Sequence, residues 1–400
     1  MNHIRSARRE ADGYQFGRYY FGLSEAQEAR AARLHAESIV MDMLWWGPVT
    51  YRSFTPAMEE QLKDLYARHQ SPGQAVWDSF YLAGRLAVAG QFPEYEEAWR
   101  ASGLTGGHYP LRVGTPDVLL TSASHLNLLV DGLPWTRKGL QTSDFVEAKA
   151  NGQLAYLVQA QPIEPISRDT RLLEQAYAFG LRMLMLTYNA QDLVGSGCTD
   201  RTNGGVTYFG RKVITLCNAL GIIIDTAHSA ERTTLDACRF SSQPVVASHN
   251  GAKGVYPHDR SKSDDEIRAI AETGGVIGVF TDAFFLTGDR QQFTVTTWLD
   301  HVDYIANLVG WQHVAIGTDA PFAGPKWAVA KMGEWSSQTG FRPAEHSTDP
   351  GTVIHNLAGF DDYRDLPNLT RGLVARQYTD EQIRGIVGGN LLRVLEQVLG

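Results

Sequence analysis

GIIIDTAHSAERTTLDACRFSSQPVVASHNGAKGVYPHDRSKSDD, residues 221–265, holds two short apolar runs, Gly221–Asp225 and Pro244–Ala247, each followed closely by a histidine, His228 and His249. The stretch between the runs is amphipathic at helical spacing, so the segment reads as a strand–helix–strand unit. Such a crossover makes the two strands parallel, and both then deliver a histidine at their C-terminal ends. In a parallel barrel that edge carries the chemistry.

The same rhythm continues outward from this unit. Towards the C-terminus the pattern predicts a helix over Asp264–Glu272, a strand over Gly275–Phe280, a helix over Thr296–Val309 and a strand over His313–Gly317. Towards the N-terminus it predicts a helix over Gly210–Leu220, strands over Met183–Thr187 and Leu154–Ala160, and helices over Arg171–Phe179 and Thr142–Asn151. The run Val118–Leu129 reads as the second strand and Ile39–Leu44 as the first. Eight buried strands alternating with helices predict a (β/α)8 TIM barrel of the α/β class, a single domain over 1–400. Outside it lie an N-terminal extension over 1–37 with a helix at Ser24–Glu37, and an insertion over 50–115 with helices near Ala57–Arg68, Ala75–Ala89 and Glu94–Ala101. A C-terminal region over 343–400 adds a loop, Pro343–Asp362, and helices at Asn368–Arg376 and Thr379–Gln397.

The chain is 43% apolar and 20% charged, as expected of a globular protein with a large core, and its net charge of −8 argues against a nucleic-acid or anionic-membrane partner. Three cysteines, Cys198, Cys217 and Cys238, show no metal-binding or redox spacing and read as reduced thiols. The N-terminal residues lack the apolar core of a signal peptide, so the expected location is cytoplasmic.

Residues at or just past the predicted strand ends define the pocket. They are Asp42, Leu44 and Trp46 on one face of the first strand, Gln159 on the third, Tyr188 on the fourth, His228 on the fifth, His249 on the sixth and Asp319 on the eighth. His228, His249 and Asp319 are of the types that ligate a divalent metal, and equally of the types that move protons. A lone histidine near a strand end is ordinarily a hydrogen-bonded structural residue; three such groups on separate strands at one edge point to a site.

Several segments carry a resemblance to the renal (membrane) dipeptidase family, metallopeptidases of the amidohydrolase-like barrels. They include Leu181-Arg-Met-Leu-Met-Leu-Thr-Tyr-Asn189, Asp225-Thr-Ala-His-Ser229, Pro244-Val-Val-Ala-Ser-His249, His258-Asp-Arg260, His313-Val-Ala-Ile-Gly-Thr-Asp319 and Gly388-Gly-Asn-Leu-Leu-Arg393. The resemblance runs from about residue 140 to the C-terminus. It implies a binuclear zinc site built from a His-x-Asp on the first strand, a bridging Glu on the third, histidines on the fifth and sixth, and an Asp on the eighth. It also implies a substrate-binding His on the fourth strand, an Arg after the sixth that holds the substrate carboxylate, and a homodimer. His228, His249 and Asp319 match as metal and catalytic positions, and Arg260 matches the arginine. Leu44 and Trp46 replace the first-strand His and Asp, Gln159 replaces the bridging Glu and Tyr188 the fourth-strand His.

Leu and Trp cannot ligate zinc, and a neutral Gln offsets no repulsion between two cations. The expectation is therefore one zinc ion on His228, His249 and Asp319, or none, with Arg260, Tyr188, Gln159, Trp45 and Trp46 lining a pocket for a carboxylate-bearing small molecule. The function expected first is a dipeptidase-like hydrolase of a small amide or dipeptide-like substrate. Two alternatives stand beside it: a metal-independent lyase, isomerase or amide-forming enzyme on the same barrel, and a non-catalytic binding protein.

Overall fold

Ten strands form one sheet in the computed structural model: β1 (Met41–Asp42), β2 (Gly106–Leu111), β3 (Thr136–Lys138), β4 (Leu154–Ala160), β5 (Leu181–Met185), β6 (Ile223–Asp225), β7 (Val245–Ala252), β8 (Ser261–Lys262), β9 (Ile277–Val279) and β10 (Val314–Ile316). The structure describes residues 14–69, 74–163, 165–319, 321–331 and 356–400; the start of the N-terminal extension and most of the loop from Pro343 lie outside the described residues. Eight strands follow the order β1-β2-β4-β5-β6-β7-β9-β10, every pair parallel, while β3 and β8 flank β4 and β7. Backbone bonds from Met43 N to Ile316 O (3.0 Å) and from Asp319 N to Leu44 O (2.8 Å) bring the two ends together. The architecture is the (β/α)8 barrel that the rhythm predicts.

One strand lies elsewhere than expected. Val118–Leu129 is not a strand but the body of a helix, Pro116–Gly132, started by Thr115 as side-chain cap and by proline in the first turn. The second barrel strand is β2, inside the segment read as a helical insertion. Its sequence, Gly-Gly-His-Tyr-Pro-Leu, carries two glycines and a proline, which local propensity places in a turn. Pairing with β4 over its whole length overrides that preference.

Inside the barrel Met41, Met43, Leu157, Met183, Ile223, Val246 and Ala315 pack against Leu391, Val394 and Leu395 of the last helix, Asn390–Leu399. That helix covers the N-terminal strand ends: Asn390 Nδ2 donates to Val314 O (2.8 Å) and Arg393 Nη1 to Gly274 O (2.8 Å). The apolar plug leaves polar inward residues only towards the opposite, C-terminal rim. No helix among the described residues is long and apolar enough to cross a membrane.

The pairing of β7 with β9 shifts register between Ala247 and Asn250, so Ser248 and His249 sit in a bulge that re-aims their side chains. The Ser248 carbonyl is pressed against two glycines in consequence. A Cβ on Gly278 would meet that oxygen at 2.0 Å and one on Gly317 at 1.7 Å. Gly317→Ala is expected to cost about 3 kcal/mol through this backbone clash, measured by denaturant unfolding; an unchanged midpoint would show that the bulge does not depend on the close approach.

Candidate active site

The centre of the rim is one hydrogen-bonded chain of side chains. Asp225, the last residue of β6, takes Ala227 N (3.0 Å) and Ser248 N (2.8 Å) on Oδ1, and Ser248 Oγ and Gln159 Nε2 (both 2.5 Å) on Oδ2. Ser248 Oγ lies 2.7 Å from His249 Nδ1. Because the serine donates to Asp225, it accepts from the imidazole, and His249 carries its hydrogen on Nδ1. His249 Nε2 then presents a lone pair to His228 Nε2, 2.9 Å away. His228 Nδ1 lies 2.7 Å from the Asn189 amide, and Tyr188 stacks on the His228 ring at 4.1 Å. Two facing lone pairs repel at that distance. The contact becomes favourable when His228 donates from Nε2, with Asn189 turning its otherwise unpartnered Nδ2 to Nδ1, or when one cation lies between the rings.

Asp319 closes the site from the eighth barrel strand. Its Oδ2 is 3.9 Å from His249 Nε2 and its Oδ1 accepts from Trp46 Nε1 at 3.3 Å. Its φ of 61° lies in the left-handed region, a strain of order 1 kcal/mol or more that the Asp319 N–Leu44 O bond helps to hold. Burial pushes its carboxyl up to about 6, against the pull of Arg260 and the Trp46 hydrogen bond. Asp282, after β9, is driven up to about 8 by burial and then by the charge of Asp319. Both histidines stay neutral, held well below the usual range first by burial and then by the nearby Arg260 charge.

His228, His249, Asp319, Gln159, Tyr188 and Trp46 are therefore brought together at one rim. Trp45 is turned away: it packs on Tyr156 and Tyr363 and against Gly107, in the layer between barrel and helices. Arg260 stands behind the histidines and fully buried, with Nη1 donating to Ala227 O (2.6 Å) and Nη2 to His249 O (3.1 Å). It pins the loops that carry both histidines instead of opening towards solvent. Sequence reading passed over Asp225, Ser248 and Asn189, whose signal was their place beside the histidines in the quoted segments. It also passed over His108, which sat outside every predicted strand.

The sequence profile of the membrane dipeptidase family (peptidase family M19) matches residues 137–341 and 345–399. This chain belongs to that family. Two curated relatives from Schizosaccharomyces pombe, both named uncharacterized dipeptidases, are 27% identical over 250 residues and 31% identical over 169 residues. These matches cover 61% and 42% of this chain, and the chain spans about half the length of the relatives, 53% and 41%. An amidohydrolase from Pseudomonas aeruginosa has a similar structure, with a TM-score of 0.70 and 26% identity over 92% of this chain and 99% of that one.

The residues present do not fit the two-metal centre that the family resemblance implies. The Trp46 indole stands at the place of the first-strand carboxylate and donates to Asp319, Leu44 is a buried aliphatic, and the Gln159 amide is uncharged and turns its nitrogen to Asp225. Among the described residues no group of three His, Cys, Asp or Glu side chains is arranged to hold a metal ion. The indole bond should be visible in the titration of Asp319. Since it favours the charged form, Trp46→Phe is expected to raise the Asp319 carboxyl above about 6. Carbon-13 NMR of the carboxyl reads this directly; a fall, or no change, would show that the indole does not stabilise the anion.

Proposed function

We propose that this chain is a dipeptidase-like hydrolase of a small amide or dipeptide-like substrate, worked from the rim by Asp319, His228 and His249, with at most one cation at the histidine pair. The observation that carries this reading is the succession of close approaches at the C-terminal mouth of a family barrel, Asp319 Oδ2 3.9 Å from His249 Nε2 and His249 Nε2 2.9 Å from His228 Nε2. Asp319 is the base. With a carboxyl near 6 it is mostly ionised at pH 7 and still basic enough to take a proton from water, then return it to the leaving nitrogen. The neutral histidine pair orients that water, and the Arg260 charge behind it favours the oxyanion that develops at the carbonyl.

With the His228 hydrogen on Nε2 and the Asn189 amide turned, hydrogen bonds run from Asn189 to Asp225 through side chains alone, and this arrangement favours a second reading, metal-independent chemistry of another class on the same barrel. Product analysis with a panel of dipeptides and small amides separates the two: release of both halves by water supports hydrolysis, and rearranged or eliminated products support the alternative. Asp319→Asn is expected to lower kcat/KM by about 100- to 10,000-fold. In the unsubstituted chain kcat/KM should rise with pH through about 6, because the base is the ionised form above its pKa. A flat profile, or a variant that retains full activity, removes Asp319 from the role.

A further inference from the structure

The wall made by β2 and β4 presents two buried hydrogen-bonding atoms that no described residue satisfies. His108 on β2 stands in register with Leu157, a residue of the barrel interior, so its ring points inward; it is 1% exposed. Its Nδ1 lies 3.0 Å from the carbonyl oxygen of Trp45 and 3.3 Å from the nitrogen of the same residue. We place the hydrogen on Nδ1, donating to the carbonyl, which is the shorter of the two contacts and can only accept. Burial pushes the imidazole down to about 4, and at pH 7 the neutral ring offers a bare lone pair at Nε2. Gln159, two residues beyond Leu157 on β4, directs Nε2 to Asp225 and Ser248, which leaves Oε1 as a second buried acceptor.

Trp46 joins this wall to Asp319. Its ring meets His108 edge to face, 6.4 Å between centroids, while its Nε1 donates to the carboxylate. The wall therefore combines two neutral acceptors with an indole whose far edge holds the Asp319 carboxylate. An anion would find acceptors and like charge there. A primary ammonium has three donors and no acceptor, and is drawn both to the carboxylate and to an indole face.

We propose that His108 Nε2 and Gln159 Oε1 form a subsite for the ammonium end of the substrate, making His108 a specificity-determining residue of this chain. The assignment rests on the dipeptide-like substrate proposed above, whose α-amino group is largely protonated at pH 7. It gives the bound molecule a direction: ammonium on the β2–β4 wall, scissile carbonyl at the histidine pair.

Two probes differ only in that group, L-alanyl-L-alanine and N-propionyl-L-alanine, its analogue without the amine. Their binding to the full chain is measured by isothermal titration, or as KM where turnover occurs. The expected result is at least tenfold tighter binding of the dipeptide, with His108→Phe removing most of that preference and leaving the analogue's affinity unchanged. Far-UV circular dichroism and Tm establish that the variant is folded. Equal binding of both probes by the unsubstituted chain overturns the subsite whether or not the variant folds, and so does undiminished preference in folded His108→Phe. Preference without release of alanine leaves the subsite standing and removes the hydrolase reading; hydrolysis of both probes with equal KM does the reverse.

Discussion

The site depends on a single carboxylate, Asp225, kept inside the barrel with all its acceptor positions filled. Burial pushes its proton affinity up, and the hydrogen bonds from Ser248 and Ala227 pull it back. Four donors favour the charged form, and an unpartnered carboxylate at that depth would cost several kcal/mol. Each donor is fixed in return. Ser248 must sit in the β7 bulge, Gln159 must turn its amide nitrogen inward, and His249 must carry its hydrogen on the side facing the serine. The direction in which His249 offers its lone pair follows from Asp225, one strand away.

This arrangement also explains why the neutral amide is tolerated where the family's pattern carries an acid. A Glu at 159 would place a second carboxylate within hydrogen-bonding distance of Asp225 with no proton between them, a repulsion that a nearby cation has to offset. Gln159 removes the need for the cation by donating. On the opposite side of the rim Trp46 makes the same exchange, placing a donor on Asp319 where an acid would have faced it. Gln159 and Trp46 thus each put a hydrogen-bond donor on a buried carboxylate.

Between Thr142 and Ile316 the chain was legible, because alternating strands and capped helices there follow the expected periods; the helices Thr142–Asn151, Arg171–Phe179 and Asp264–Glu272 coincide with the structure, whereas the single helix expected over Thr379–Gln397 is interrupted by a π-helical turn at Gly385–Gly389. In the first third the helices expected at Ser24–Glu37, Ala57–Arg68, Ala75–Ala89 and Glu94–Ala101 were legible as well, but the second strand was not. Gly106–Leu111 looks like a turn and becomes a strand only because β4 pairs with it, while the apolar run at Val118 is a helix face announced by Thr115-Pro116. That misplaced strand hid His108. Residue identity alone marked the histidines and Asp319, but the burial of Arg260 behind them comes from its contacts with two backbone carbonyls, which no spacing displays.

The central claim is that this family barrel has exchanged its two-metal centre for a relay built on Asp225. Reconstitution of the full chain with excess zinc, removal of free ion by gel filtration, and elemental analysis of the protein peak measure it directly. The account predicts no more than one zinc per chain, since only His228 and His249 retain imidazole donors facing each other. Two tightly held zinc ions per chain would contradict it.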